Sequence, residues 1–178
     1  MARGLVLIGY RGTGKSTVGR ILADRLGRAF FDCDREIEAS SGRPIRAIFA
    51  ESGEPAFRDW EERIIRELTA ADTGAVLATG GGAVLRQANR ARLRRFGFVA
   101  WLTADPAELA RRLQADARGL AGRPALTPAG TLDEIAQVLA ARSPIYAELA
   151  DAVLATDGRE PVEVAEAILS HWSLVIGH

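Results

Sequence analysis

The sequence predicts an α/β protein with a five-stranded parallel sheet and helices on both faces. Five short apolar runs alternate with longer amphipathic segments. The first run feeds directly into the glycine-rich stretch Gly9-Tyr10-Arg11-Gly12-Thr13-Gly14-Lys15-Ser16. No repeat, low-complexity tract or linker-like composition divides the 178 residues, so residues 1–178 read as one domain. Apolar residues make up 48% of the chain, enough for one substantial core.

Each element follows from its local pattern. Leu5-Val6-Leu7-Ile8 reads as a buried strand, and Ser16 to Leu26 as a helix with Val18, Ile21, Leu22 and Leu26 on one side and Gly27 closing it. Ala29-Phe30-Phe31 is a short second strand ending at Asp32, followed by helices over Arg35 to Ser41, Pro44 to Ala50 and Glu54 to Ala71. Ala75-Val76-Leu77-Ala78 is the third strand and runs into Gly80-Gly81-Gly82. A helix from Asn89 to Phe96 leads to the fourth strand, Phe98 to Leu102, and Pro106 opens a helix to Ala115. Residues 116–130 hold three Gly, two Pro and no apolar period, which suits either a disordered loop or a functional lid. A helix over Thr131 to Ala150, interrupted near Pro144, a fifth strand at Ala152 to Ala155 and a helix from Pro161 to Trp172 complete the chain.

Composition narrows the classes of function. Lys plus Arg and Asp plus Glu both number 23, a balance that calls for neither a nucleic-acid nor an anionic-membrane partner. A single cysteine, Cys33, allows no internal disulfide and fits a reducing cytoplasm, where it reads as a small buried filler. His171 and His178 are terminal and read as exposed, and Trp60 reads as core.

Lys15 is the sole lysine; the other 22 basic residues are arginine. A compact ammonium fits between phosphate oxygens where a planar guanidinium does not. The surrounding G-x-x-x-x-G-K-[ST] pattern, after a strand and opening a helix, is a P-loop. Backbone N–H groups at Gly12, Thr13, Gly14 and Thr17, with the helix N-terminus, are expected to cradle phosphates. Lys15 would bridge the β- and γ-phosphates, and Ser16 would hold Mg²⁺. Asp32 and Asp34 stand at the end of the second strand, where carboxylates face the ligand crevice of an open α/β sheet. One can steady the metal through water and the other can orient an alcohol about to be phosphorylated; Asp34 as a plain helix cap explains that residue equally well. Gly80, Gly81 and Gly82 suggest close approach of a ligand to backbone. Arg58, Arg123 and Arg142 stand out by their neighbourhoods, as clamps for a carboxylate or for a transferring phosphoryl group.

Taken together, the P-loop, Asp32-Cys33-Asp34, the Gly53-Glu54-Pro55-Ala56-Phe57-Arg58 segment, Thr79-Gly80-Gly81-Gly82, Arg123-Pro124 and Arg142-Ser143-Pro144-Ile145-Tyr146 resemble the shikimate kinase family from Leu5 to about Trp172. The resemblance implies a P-loop kinase fold of the nucleoside-monophosphate-kinase type with a mobile lid. It also implies ATP and shikimate as substrates, Mg²⁺ beside the nucleotide, and a monomer. By the same resemblance Asp34, Arg58, Arg142 and the backbone at Gly80, Gly81 and Gly82 bind shikimate. Lys15, Asp34 and Arg123 serve catalysis, and Asp32 steadies the metal through water. Arg112, Arg159 and Pro161 line the adenine pocket. Ile145 and Ala125-Leu126 depart slightly from the usual residues, and Ser173 to His178 match nothing in the family.

Two rivals accompany this expectation. A small polyol kinase acting on gluconate explains the P-loop and Asp34, but leaves the pairing of Arg58 and Arg142 with the triple glycine unexplained. A non-catalytic sensor with the same domain needs a DNA-binding segment, and the neutral chain opening on its first strand offers none.

Overall fold

The computed structural model describes residues 4–71, 73–119 and 132–176. The strands β1 (Gly4–Ile8), β2 (Phe30–Asp32), β3 (Val76–Ala78), β4 (Gly97–Thr103) and β5 (Ala152–Ala155) form one parallel sheet in the order β2-β3-β1-β4-β5. The helices are α1 (Lys15–Leu26), α2 (Cys33–Ser41), α3 (Ile45–Ala70), α4 (Gln87–Phe96), α5 (Pro106–Gly119), α6 (Leu132–Leu149) and α7 (Pro161–Ile176), with a 3₁₀ turn at Ala83–Leu85.

The apolar run of β1 divides by strict alternation. Leu5 and Leu7 point into a core completed by Val18 and Leu22 of α1 and Ile168 and Trp172 of α7. Val6 and Ile8 point to the opposite face, against Ile37 of α2, Ile64 of α3, Leu93 of α4 and Tyr146 of α6. A strand buried on both faces reads as a continuous apolar run, as this one does. From β1 the chain passes to β2 and β3 on one side and later to β4 and β5 on the other. The C-terminal end of β1 is therefore a switch point, where open α/β sheets place ligands.

The five expected strands and their helices are present, with shifted ends. The segments expected as two helices on either side of residue 53 abut with no intervening coil, and Gly53 breaks the helical path with φ 77° and ψ 175°. Pro144 does not interrupt α6 but lies inside it. α5 continues through Gly119, so residues 116–119, assigned to a lid by composition, are helical; the rest of that segment lies outside the described residues. α7 extends to Ile176, past the expected end at Trp172. Among the described residues no helix is long and apolar enough to cross a membrane.

Candidate functional site

The loop between β1 and α1 is shaped by glycines at positive φ, among them Gly12 (80°) and Gly14 (91°), which a residue with a Cβ adopts only under strain. Thr13 donates to the Tyr10 carbonyl at 2.8 Å and braces the turn from within. Lys15 opens α1, and its Nζ donates to the carbonyls of Gly9 and Tyr10, both at 2.7 Å. The ammonium is thus held against the loop it serves, 8% exposed at the head of the helix.

Ser16 follows, and its hydroxyl donates a short hydrogen bond to Asp32 Oδ2 across from β2. The other oxygen of Asp32 accepts from the Asp34 N–H at 3.1 Å, so Asp32, not Asp34, caps α2. That settles the alternative raised by the sequence: Asp34 is not needed as a cap, and its side chain lines the cleft. Cys33, between the two, is fully buried, and burial pushes its thiol well above the ordinary range. It is inert filler.

A first cleft lies over the P-loop, lined by Gly12, Gly14, Lys15, Ser16 and Thr17 together with Asp32 and Asp116. A second, with about 560 Å³ of empty space partly open to solvent, lies beside it under α3. Its walls are Ile45, Phe49 and Phe57 on the apolar side and Arg58, Glu61 and Arg142 on the charged side. The two clefts share Arg11, Asp34, Gly80 and Gly81. The P-loop cleft and the pocket under α3 therefore meet at one carboxylate, Asp34.

Arg58 is 8% exposed and is gripped from two sides. Its Nη1 meets Glu61 Oε2 at 2.8 Å, and its Nη2 meets Glu54 Oε1 at 2.9 Å. Burial works against the charge of the guanidinium, but Glu61 and Glu54 outweigh it and hold Arg58 ionised. Glu61, 1% exposed, is pushed up by burial, and the pull of Arg58 only partly restores it. Its second oxygen, Oε1, has no hydrogen-bond partner among the described residues. Sequence reasoning missed Glu61, although its spacing of three residues from Arg58 on one helix was a usable signal.

None of Gly80, Gly81 and Gly82 adopts a positive φ. What two of them need is room. A Cβ at Gly80 would lie 2.6 Å from Glu61 Oε1 and 3.3 Å from Asp34 Oδ1, and one at Gly82 would lie 2.3 Å from Arg58 Nη2. A Cβ at Gly81 would meet only ordinary contacts of 3.4 Å or more.

Arg112 lies at the other end of the P-loop. It donates to the Gly12 carbonyl at 3.2 Å and to the Thr156 hydroxyl and carbonyl at 3.0 and 3.1 Å, while Glu108 holds its Nε at 2.7 Å. Arg159 is exposed in the turn after β5, with its N–H on the same Thr156 carbonyl, and Pro161 starts α7 beside it. Two of the three expected adenine contacts, Arg112 and Arg159, thus meet at the Thr156 carbonyl, and none of the three is in the lining of the cleft over the P-loop. Arg123 lies outside the described residues. Trp60 packs against the core, and His171 is exposed.

The chain matches the family model described as shikimate kinase over residues 11–173. The shikimate kinase of Symbiobacterium thermophilum is 46% identical over 165 residues, covering 93% of each chain. That of Pseudomonas syringae pv. syringae is 46% identical over 168 residues, 94% of this chain and 95% of its own. Among solved structures, shikimate kinase from Acinetobacter baumannii in complex with shikimate superposes with a TM-score of 0.89 at 35% identity, covering 99% of this chain and 94% of the other.

Proposed function

The chain belongs to the shikimate kinase family, and on that footing we propose that it transfers the γ-phosphoryl group of ATP to the 3-hydroxyl of shikimate, giving shikimate 3-phosphate and ADP. The observation that carries this reading is the meeting of the two clefts at Asp34, with the P-loop on one side and Arg58 and Arg142 on the other.

Phosphoryl transfer asks a protein mainly for alignment and charge stabilisation. The backbone N–H groups of Gly12 to Thr17 and the ammonium of Lys15 bind the phosphates, and Arg112, Arg159 and Pro161 hold the adenine end. Arg58 and Arg142 receive the shikimate carboxylate, with the amides of Gly81 and Gly82 completing its seat. The apolar walls from Ile45, Phe49 and Phe57 take the ring. Asp34 accepts the hydrogen bond of the attacking hydroxyl and orients it toward the γ-phosphorus. By the family resemblance, Arg123 would supply a further positive charge to the phosphates.

The chemistry beside the P-loop fits a divalent metal. Ser16 and Asp32 already face each other as hard oxygen donors. Mg²⁺ is the ion we assign: the Ser16 hydroxyl and, through water, Asp32 would hold it, and it would neutralise charge on the phosphates.

A coupled assay for ADP release, run with shikimate and with gluconate, tests the reading. Shikimate is expected to support turnover and gluconate is not, because gluconate offers no ring for the apolar wall. Turnover with gluconate alone moves the protein to the polyol kinases, and binding without turnover moves it to the sensors.

A further inference from the structure

Tyr146 is fully buried, and nothing in the phosphoryl-transfer chemistry above uses its hydroxyl. Its ring stacks on Trp101 of β4, with centroids 5.5 Å apart and planes at 29°. The hydroxyl donates a short hydrogen bond to the carbonyl of Gly81. Arg142, one helical turn earlier on α6, lies near enough for its charge to favour the ionised phenol, although burial outweighs it. A carbonyl only accepts and a guanidinium only donates, so the phenol proton lies on the Gly81 oxygen and only the lone pairs of the phenol face Arg142. Burial pushes the hydroxyl up to about 12, which keeps that proton in place at any working pH.

We propose that Tyr146 is a positioning residue for acceptor recognition: its hydroxyl locks Arg142 and the Gly81–Gly82 peptide into one seat for the acceptor carboxylate. The proposal rests on the reading of shikimate as acceptor. In a planar trans peptide the C=O and the following N–H point in opposite directions. Holding the Gly81 carbonyl on Tyr146 therefore aims the Gly82 N–H the other way. The rest of the turn is held independently, by the Ala83 N–H on the Gly80 carbonyl at 3.1 Å and by Asn89 Nδ2 on the Ala83 carbonyl at 3.0 Å. Loss of the phenol proton consequently frees one peptide and one guanidinium and leaves the turn folded. The Gly81 backbone lies against Gly9, Tyr10 and Arg11 of the P-loop, whereas the acceptor cleft does not include Lys15, so the ATP KM is the control for a change confined to the acceptor seat.

The test is Tyr146→Phe, which keeps the ring on Trp101, assayed with shikimate and with its methyl ester, where the carboxylate charge is gone. The shikimate KM should rise roughly five- to tenfold, the size of one lost hydrogen bond to a charged ligand seat. The kcat and the ATP KM should stay within about twofold. The preference for shikimate over the ester should fall by the same factor as the KM rises. Trp101→Leu serves as the packing control: it should lower the thermal midpoint while keeping the preference. An unchanged preference in Tyr146→Phe overturns the proposal, as does an equal drop in Trp101→Leu. Wild-type protein inert toward shikimate overturns the functional reading itself, and this one with it; wild-type turnover with an unchanged preference in Tyr146→Phe overturns this one alone.

Discussion

The two glycine-rich segments of this protein look alike in sequence and use glycine for opposite reasons. In the P-loop, Gly12 and Gly14 are needed for their backbone angles, at φ 80° and 91°. In the turn after β3 the angles are ordinary, and Gly80 and Gly82 are needed because Glu61 and Arg58 occupy the space a Cβ would take. The first segment is a site made of main chain, with one ammonium added. The second is the floor of a site made of side chains, pressed against it from α3. The contrast teaches that a phosphate cradle is a local device, whereas the acceptor seat is a tertiary one.

The local device has one irreplaceable side chain, and its loss gives the largest expected effect. Lys15→Met should lower kcat on the order of 10³-fold, since it removes a charge aimed at developing negative charge in a dry site. Shikimate binding, followed by calorimetry, should change by less than about threefold, because the acceptor cleft does not include Lys15. Preserved turnover would detach the lysine from the chemistry.

The tertiary device should fail in the complementary way. Arg58→Ala removes a buried guanidinium and takes from Glu61, 1% exposed, its only hydrogen-bonded ion-pair partner among the described residues, leaving the more distant Arg142 and Arg86. The expected result is a rise in shikimate KM of about 100-fold with the ATP KM little changed, the cost of breaking one buried charge pair. A parallel loss in both substrates would mean that Arg58 supports the fold rather than the acceptor.

This division also explains what the sequence could and could not tell. The P-loop was legible because its residues are contiguous and each does a separable backbone or charge task. The strand runs were legible because β1 is buried on both faces. The reading of Asp34 stayed open because an N-cap and a cleft carboxylate look the same in one dimension; only the geometry of Asp32 resolved it. Pro144 misled because a proline inside a helix costs one hydrogen bond, and packing of Ile135, Tyr146 and Leu149 outweighs that in α6. Glu61 was missed because a buried acid and an exposed one have the same letter. The triple glycine was read as close approach of a ligand; two of its members also make room for the protein's own side chains, Gly80 for Glu61 and Gly82 for Arg58.

Glycine-to-alanine substitutions sharpen the comparison further. Gly82→Ala is compatible with its backbone at φ −96° and ψ 2°, yet it pushes on Arg58, which Glu54 and Glu61 pin from both sides. The shikimate KM should rise about tenfold, as expected when a pinned side chain is forced off its rotamer. Gly81→Ala, with contacts of 3.4 Å or more, should cost far less. Equal effects at the two positions, measured as KM for shikimate, would contradict the steric account.

The smallest effect expected is in the pH dependence, and its sign separates it from unfolding. Burial raises the Glu61 carboxyl, so on acidification it takes up a proton before an exposed glutamate does. The proton removes the charge that aligns Arg58, while Arg142 and Arg86, which also act on Glu61, lose the partner that their fields favour. The shikimate KM should therefore rise several-fold as pH falls through the raised range of Glu61, with the ATP KM flat. Because the folded form binds this proton more readily than the unfolded chain, Glu61 adds stability as pH falls through its raised range and withdraws it as pH rises. The acid limb of KM is then not a melting curve. The acceptor's own carboxylate also loses charge in acid, so the comparison must be made against Glu61→Gln, in which the limb attributable to Glu61 should vanish while the limb from the substrate remains. Superimposable KM profiles for the two proteins would show that Arg58 keeps its place without the charge of Glu61.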